Sequence, residues 1–165
     1  MKNQMTEQDI EKIKAEIEER KVVERPKLLK ALQEARAQGD LSENFEYYAA
    51  KRANNSNNSR IRYLERMLRN TEVVEDTSAE DEVGLNDSVT VRFLDDDSEE
   101  TFKIVTSIRG NSVDGRLSLE SPFGKAVLGH KVGDTVSVPA GAGSYEVEIT
   151  DIVKSSDEND ALKAF

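Results

Sequence analysis

Two acidic side chains, Asp40 and Glu43, stand three positions apart directly after Gly39. At that spacing two carboxylates face one side of a turn. Their plainest work is structural: acids at the start of a helix accept from its unpaired N–H groups and favour the positive end of its dipole. The same hard oxygens also suit magnesium, which keeps several waters and bridges to phosphate. Two ligands complete such a site without building it, so a partner would have to supply the rest. Cysteine is absent and there is one histidine, so any metal chemistry of this chain runs through carboxylates.

The flanking elements must position that pair. From Thr6, an N-cap residue, to about Gln38 the apolar residues Ile10, Ile13, Ile17, Leu28, Leu32 and Ala35 recur at helical spacing. A second helical pattern runs from about Asn44 to Arg69, with Tyr47, Tyr48, Ala50, Ile61, Leu64, Met67 and Leu68 on one face. Only Gly39 to Glu43 separates them, so the helices are antiparallel neighbours, an arm of about 45 Å for thirty residues of helix. A turn centred near residue 41 makes facing residue numbers sum to about 83, which sets Tyr47 opposite Arg36 and Ile17 opposite Arg66. The run Asn54-Asn55-Ser56-Asn57-Asn58-Ser59 then faces Lys21 to Leu29, which includes Pro26. Proline removes a helix hydrogen bond and asparagine weakens an apolar seam, so a kink or soft joint is expected midway along the arm.

The chain has 165 residues, 36% hydrophobic and 34% charged, enough for one ordinary domain or two small ones. Its net charge of −10 excludes a general nucleic-acid binder, which needs basic faces. Residues 1–72 hold 15 Lys+Arg against 13 Asp+Glu, whereas residues 73–165 hold 8 against 20, so two units with different work are expected. In the first, Arg60, Arg62, Arg66 and Arg69 fall beside Glu16, Glu18, Glu19 and Glu24 as interhelical pairs that set the register. No apolar run approaches the roughly 18 residues that span a bilayer, and the start lacks an apolar leader, so a cytoplasmic protein without a membrane anchor is expected.

The expected division is a helical hairpin over 1–75, an acidic linker over 76–82, a second domain over 83–154 and a flexible tail over 155–165, where Leu162 and Phe165 are the docking residues. In the second domain Val89, Val91 and Phe93 alternate with polar residues, then Phe102 and Ile104, a short strand at Arg116 to Leu119, Val136 and Val138, and Tyr145, Val147 and Ile149. Ser121-Pro122 caps a short helix that Gly129 stops, and His130 falls in a surface turn. The class is α+β: a long antiparallel helical hairpin, coiled-coil in character, plus an antiparallel sheet on one short helix.

Four strings are distinctive: Arg25-Pro26, Glu34-Ala35-Arg36, Gly39-Asp40-Leu41-Ser42-Glu43-Asn44-Phe45-Glu46-Tyr47, and Arg60-Ile61. They resemble the bacterial Gre transcript cleavage factors, and the GreA-like branch in particular. The resemblance covers nearly the whole chain, because Ser121-Pro122, Gly124-Lys125-Ala126 through Gly129, and Gly133-Asp134 are similar to the family's FKBP-like C-terminal domain. It implies a transcription elongation factor that is no enzyme itself, whose hairpin enters the secondary channel of RNA polymerase. Asp40 and Glu43 would there help hold a magnesium ion shared with the polymerase, promoting hydrolysis of backtracked RNA, with no cofactor bound to the factor alone. The resemblance also implies that Asn44 and Tyr47 touch the RNA 3′ end or position the tip. Arg36, Lys51 and Arg52 match its basic patch towards RNA, and Ser121, Pro122, Gly124 and Lys125 its polymerase-docking region. A monomer is expected.

Other readings stand beside this one. The charges at 36, 51 and 52 also suit a solvated helix face, and Tyr47 and Tyr48 suit seam packing as well as base stacking. A channel-binding inhibitor without cleavage activity is the first rival. The second is an FKBP-like prolyl isomerase, which wants an aromatic-lined pocket; residues 83–154 offer Phe93, Phe102, Phe123 and Tyr145, the first two better used in a core. The Asn-Ser run departs from the larger side chains usual in the family there, and puts the stiffness of the arm in question.

Overall fold

The structure, a computed structural model, describes residues 2–39 and 44–164. The chain forms two compact units, one of Ile10–Thr71 and the other of Asn3–Asp9 with Glu72–Ala164. Residues 3–9 thus group with the second unit, although the helical pattern assigns them to the hairpin. Strand β1 (Asn3–Met5) precedes helix α1 (Glu7–Glu19), whose first residues therefore lie in the second unit, and strand β2 (Thr71–Val73) pairs with β1. Thr6 starts α1 by a reciprocal cap: the Asp9 N–H donates to Thr6 Oγ1 at 3.2 Å and the Thr6 N–H donates to Asp9 Oδ2 at 3.1 Å.

In the first unit α1 runs into a π-helical turn (Arg20–Glu24) and then α2 (Arg25–Arg36), and α3 (Phe45–Arg69) returns beside it. At 25 residues α3 is about 37 Å long. The expected irregularity is present, but on the first strand of the hairpin alone; α3 passes through the Asn-Ser run unbroken. Pro26 lies at the start of α2, where its ring would meet the carbonyl four residues back in a regular helix. Widening the preceding turn relieves that clash and makes the missing N–H harmless.

The Asn-Ser run is not simply a weak stretch. Asn57 is buried, accepts from Arg20 Nη1 at 3.0 Å and donates to the Arg20 carbonyl at 3.2 Å, while Asn58 accepts from Arg25 Nε at 3.2 Å. The run thus bonds to the π-turn and its flank through one main-chain carbonyl and two arginine side chains. Ala35, Ile61 and Leu64 are buried, as their spacing predicts. Of the four expected arginine pairs, Arg60 makes a double contact with Glu16, at 2.8 and 3.3 Å. Arg62 instead donates to Ser59, and Arg66 stacks over Tyr63.

The second unit is a five-stranded sheet in the order β5-β4-β3-β7-β6, from β3 (Ser88–Phe93), β4 (Glu99–Val105), β5 (Arg116–Ser118), β6 (Thr135–Ala140) and β7 (Gly143–Val153). It is antiparallel except at its edge, where β5 joins β4 in parallel after two short 3₁₀ turns. Ile108, four residues beyond Ile104, lies buried in the first of these turns. One face carries the core, Val89, Val91, Ile104, Val138, Val147 and Ile149, closed by Phe123 and Val127 of α4 (Pro122–Val127). The alternation of buried and open positions along β3 and β6 is what one covered face requires. Residues 155–164 have no helix or strand, and the Lys163 N–H donates to the Ile108 carbonyl at 2.7 Å, next to Leu162, one of the two residues expected to dock; the other, Phe165, lies outside the described residues. The partners that hold this segment lie far earlier in the chain, so no local pattern reveals them.

Candidate functional site

The chain leaves α2 through Gly39, whose φ of +113° only glycine adopts without strain, and α3 begins at its N-cap Asn44. Asp40 and Glu43 lie outside the described residues. What the structure describes is how both ends of that short connection are tied. Asn44 Oδ1 accepts from the Tyr47 N–H at 3.0 Å, capping α3, and its Nδ2 donates to the Ala35 carbonyl at 2.6 Å, in the last turn of α2. One side chain thus fastens the start of one helix to the end of the other. Both ends of the Asn44 amide are thus engaged within the hairpin.

Next to this clasped end lies a basic and aromatic cluster. The Arg36 guanidinium sits 5.8 Å from the centre of the Tyr47 ring, the pairing that a turn near residue 41 predicts. Tyr47 meets Tyr48 edge to face, with ring centres 5.4 Å apart. A hydrogen bond from Arg36 holds the Tyr47 phenol below its ordinary range, and Lys51 acts the same way. Arg36, Lys51, Arg52 and Tyr48 are exposed, and Phe45 is 85% exposed, so a cationic surface with stacking faces adjoins the connection. Such a surface suits single-stranded nucleic acid. Sequence reasoning passed over Phe45, an apolar side chain at the first position of α3 whose exposure a helical pattern does not reveal.

The docking candidates separate by exposure. Ser121 caps α4, accepting from the Gly124 N–H at 3.0 Å, and its own hydroxyl donates to the Ser118 carbonyl at 2.6 Å. Gly124 is buried so tightly that an added Cβ would overlap the Ser118 carbonyl oxygen and lie 2.9 Å from Leu119 Cα. Pro122 and Lys125 are exposed. The first two therefore shape this corner, and the last two present it. His130 pairs with Asp134 at 3.0 Å in the turn expected for it.

A cleft of about 350 Å³ in the second unit is lined by Val74, Ser78, Val83, Leu85, Leu119 and Leu128 among others, with no aromatic side chain. The aromatic residues are spent on each other: Phe102 lies edge to face with Phe123 at 5.0 Å, and Phe93 beside Tyr145 at 5.9 Å. That disposition speaks against a prolyl isomerase. Among the described residues no three His, Cys, Asp or Glu gather as metal ligands, and no helix is long and apolar enough to cross a membrane.

Comparison with known proteins matches both units. Residues 3–73 match the family model described as transcription elongation factor, N-terminal, and residues 78–154 match the one described as transcription elongation factor, GreA/GreB, C-term. The chain is 40% identical over 153 residues to transcription elongation factor GreA of Streptococcus pneumoniae serotype 19F (strain G54), covering 92% of this chain and 96% of that protein. Another strain, Hungary19A-6, has a GreA 39% identical over the same span. Among solved structures, GreA factor homolog 1 (Gfh1) of Thermus thermophilus aligns at 26% identity and a TM-score of 0.44, covering 93% of this chain and all of that one.

Proposed function

Because the chain belongs to the GreA/GreB family of transcription elongation factors, we propose that it enters the secondary channel of RNA polymerase and stimulates hydrolysis of backtracked RNA. The observation that supports this reading most is the Asn44 side chain, bonded to both helices of the hairpin. It holds the ends of the connection that carries Asp40 and Glu43, the two residues that would lend carboxylates to the polymerase's catalytic magnesium. Their donor chemistry fits: both are hard oxygen ligands, and two of them leave most of an octahedral shell for the partner. Magnesium bound there would polarise a water and stabilise charge on the attacked phosphate. The factor thus contributes ligands and position, and the polymerase keeps the active site.

The neighbouring side chains have work in the same reading. Arg36, Lys51 and Arg52 offset phosphate charge near the RNA 3′ end, and Tyr47, fixed by Arg36 and Tyr48, offers a face to a splayed base. Pro122 and Lys125 face the polymerase at the corner that Ser121 and Gly124 shape.

A purified backtracked elongation complex tests the proposal. Wild-type protein should release short RNA fragments and restart transcription. Asp40→Ala with Glu43→Ala should abolish release while binding to polymerase stays measurable; cleavage at the wild-type rate would sink the ligand role. A channel inhibitor would bind and arrest transcription with no fragments at all.

A further inference from the structure

Both family matches and the second unit's last strand end by residue 154, yet the residues beyond are tied down at many points. The Ser155 N–H donates to buried Asp87 at 3.0 Å. Glu158 bridges two partners, accepting from Asn86 Nδ2 at 3.3 Å and from Thr6 Oγ1 at 3.2 Å. Asp160 receives Lys103 Nζ at 2.8 Å and Arg109 Nη1 at 3.0 Å, with Arg116 Nε 3.9 Å away. Residues 73–165 have only 8 basic side chains, so turning three of them towards one carboxylate is a large commitment in a unit so acidic.

At the centre is Arg109, fully buried. Its Nε donates to Asp9 Oδ1 at 2.7 Å, and Asp9 is fully buried too. Thr106 Oγ1 donates to Asp9 Oδ2 at 2.6 Å, and Arg109 Nη1 also reaches Asn86 Oδ1 at 2.9 Å. A buried ion pair persists only when its remaining hydrogen-bonding groups are met and water is kept away. Asp160 shares Arg109 Nη1 with Asn86, an atom that Asp9 does not reach, while the buried Nη2 is left without a hydrogen-bond partner among the described residues; Glu158 in turn accepts from Thr6 and Asn86.

We infer that residues 155–164 are a clasp that closes over the Asp9–Arg109 pair and fastens the segment Asn3–Asp9, with the first turn of α1, into the second unit. The strand β1 is also held by its pairing with β2, by the burial of Met5 and by the Val74 N–H, which bonds to the Met5 carbonyl at 2.9 Å; Asp9 takes Arg109 and Thr106, and the clasp adds the bond from Thr6 to Glu158. Opening the clasp lets water reach Arg109 and weakens the grip on Asp9.

Amide hydrogen exchange tests this on two proteins: the chain ended after Lys154, and the full chain carrying Glu158→Gln with Asp160→Asn. Exchange over residues 3–9 should rise about tenfold or more in both, with the central-strand amides of Val147 and Ile149 and the α3 amides of Ile61 and Leu64 unchanged. Unchanged protection over 3–9 in the full-length variant overturns the clasp, even if the shortened chain fails to fold. So does an equal loss at Val147 and Ile149, which would make these residues a general part of the sheet unit's stability.

Discussion

The Asn57 amide donates to the main-chain carbonyl of Arg20 at 3.2 Å, and the Arg20 guanidinium returns a bond to Asn57 Oδ1 at 3.0 Å. That same carbonyl accepts the Arg25 N–H that closes the π-turn. A side chain of α3 therefore bonds to an irregular turn of the facing helix through both the carbonyl and the guanidinium of one residue. Asn57→Leu should destabilise the protein by about 1 kcal/mol despite adding apolar surface, because the two bonds between buried Asn57 and half-buried Arg20 are lost. Urea denaturation measures this, and a variant as stable as the parent would show that the turn holds itself.

Glu16 receives Arg20 at 2.7 Å and Arg60 at 2.8 Å. Burial alone would raise its pKa, but the hydrogen bonds from Arg60 and Arg20 win, and the carboxyl lies below its ordinary range. A group depressed on folding gives stability that is present above its unfolded pKa, about 4.3, and is lost as pH falls through the folded value. Denaturation curves between pH 7 and pH 3 should therefore lose less stability in Glu16→Gln than in the parent.

Arg109 and Asp9 are both fully buried, 2.7 Å apart. Arg109→Met strands the Asp9 charge and should cost about 3–5 kcal/mol. Adding Asp9→Asn should recover part of that, since no bare charge remains. Thermal melts of the two single variants and the double variant provide the cycle, and strict additivity would deny the pairing.

Asn44→Asp keeps an acceptor for the Tyr47 N–H and loses the donor to the Ala35 carbonyl. Helix α3 should still start at residue 45, but fragment release from backtracked complexes should fall several-fold with both tip acids intact. Full activity in this variant would show that tying the two helices together is dispensable. Asn44→Ala loses the cap as well, at about 1 kcal/mol of further cost.

Gly124→Ala is expected to cost about 1–3 kcal/mol, because the new methyl group meets backbone at Ser118 and Leu119 rather than a movable side chain. Lys125→Ala should leave the melting temperature unchanged and weaken polymerase binding, which a pull-down at rising salt would read.

Helical and strand periods, the glycine between the helices and the capped Ser-Pro helix are local properties, and they determine the hairpin, the sheet and the place of Asp40 and Glu43 between two helices from the sequence alone. Even Arg36 against Tyr47 follows from counting outward from the turn. Beside Pro26 the counting still holds, since Arg25 meets Asn58, but the π-turn adds chain on one side, and at its far end Arg20 rather than a residue of the expected stretch meets Asn57. The Asp9–Arg109–Asp160 cluster is still less visible, since Asp9 and Arg109 are 100 residues apart. Charge gains its meaning there from burial, and burial is decided only when the sheet unit, the N-terminal segment and the last residues have come together.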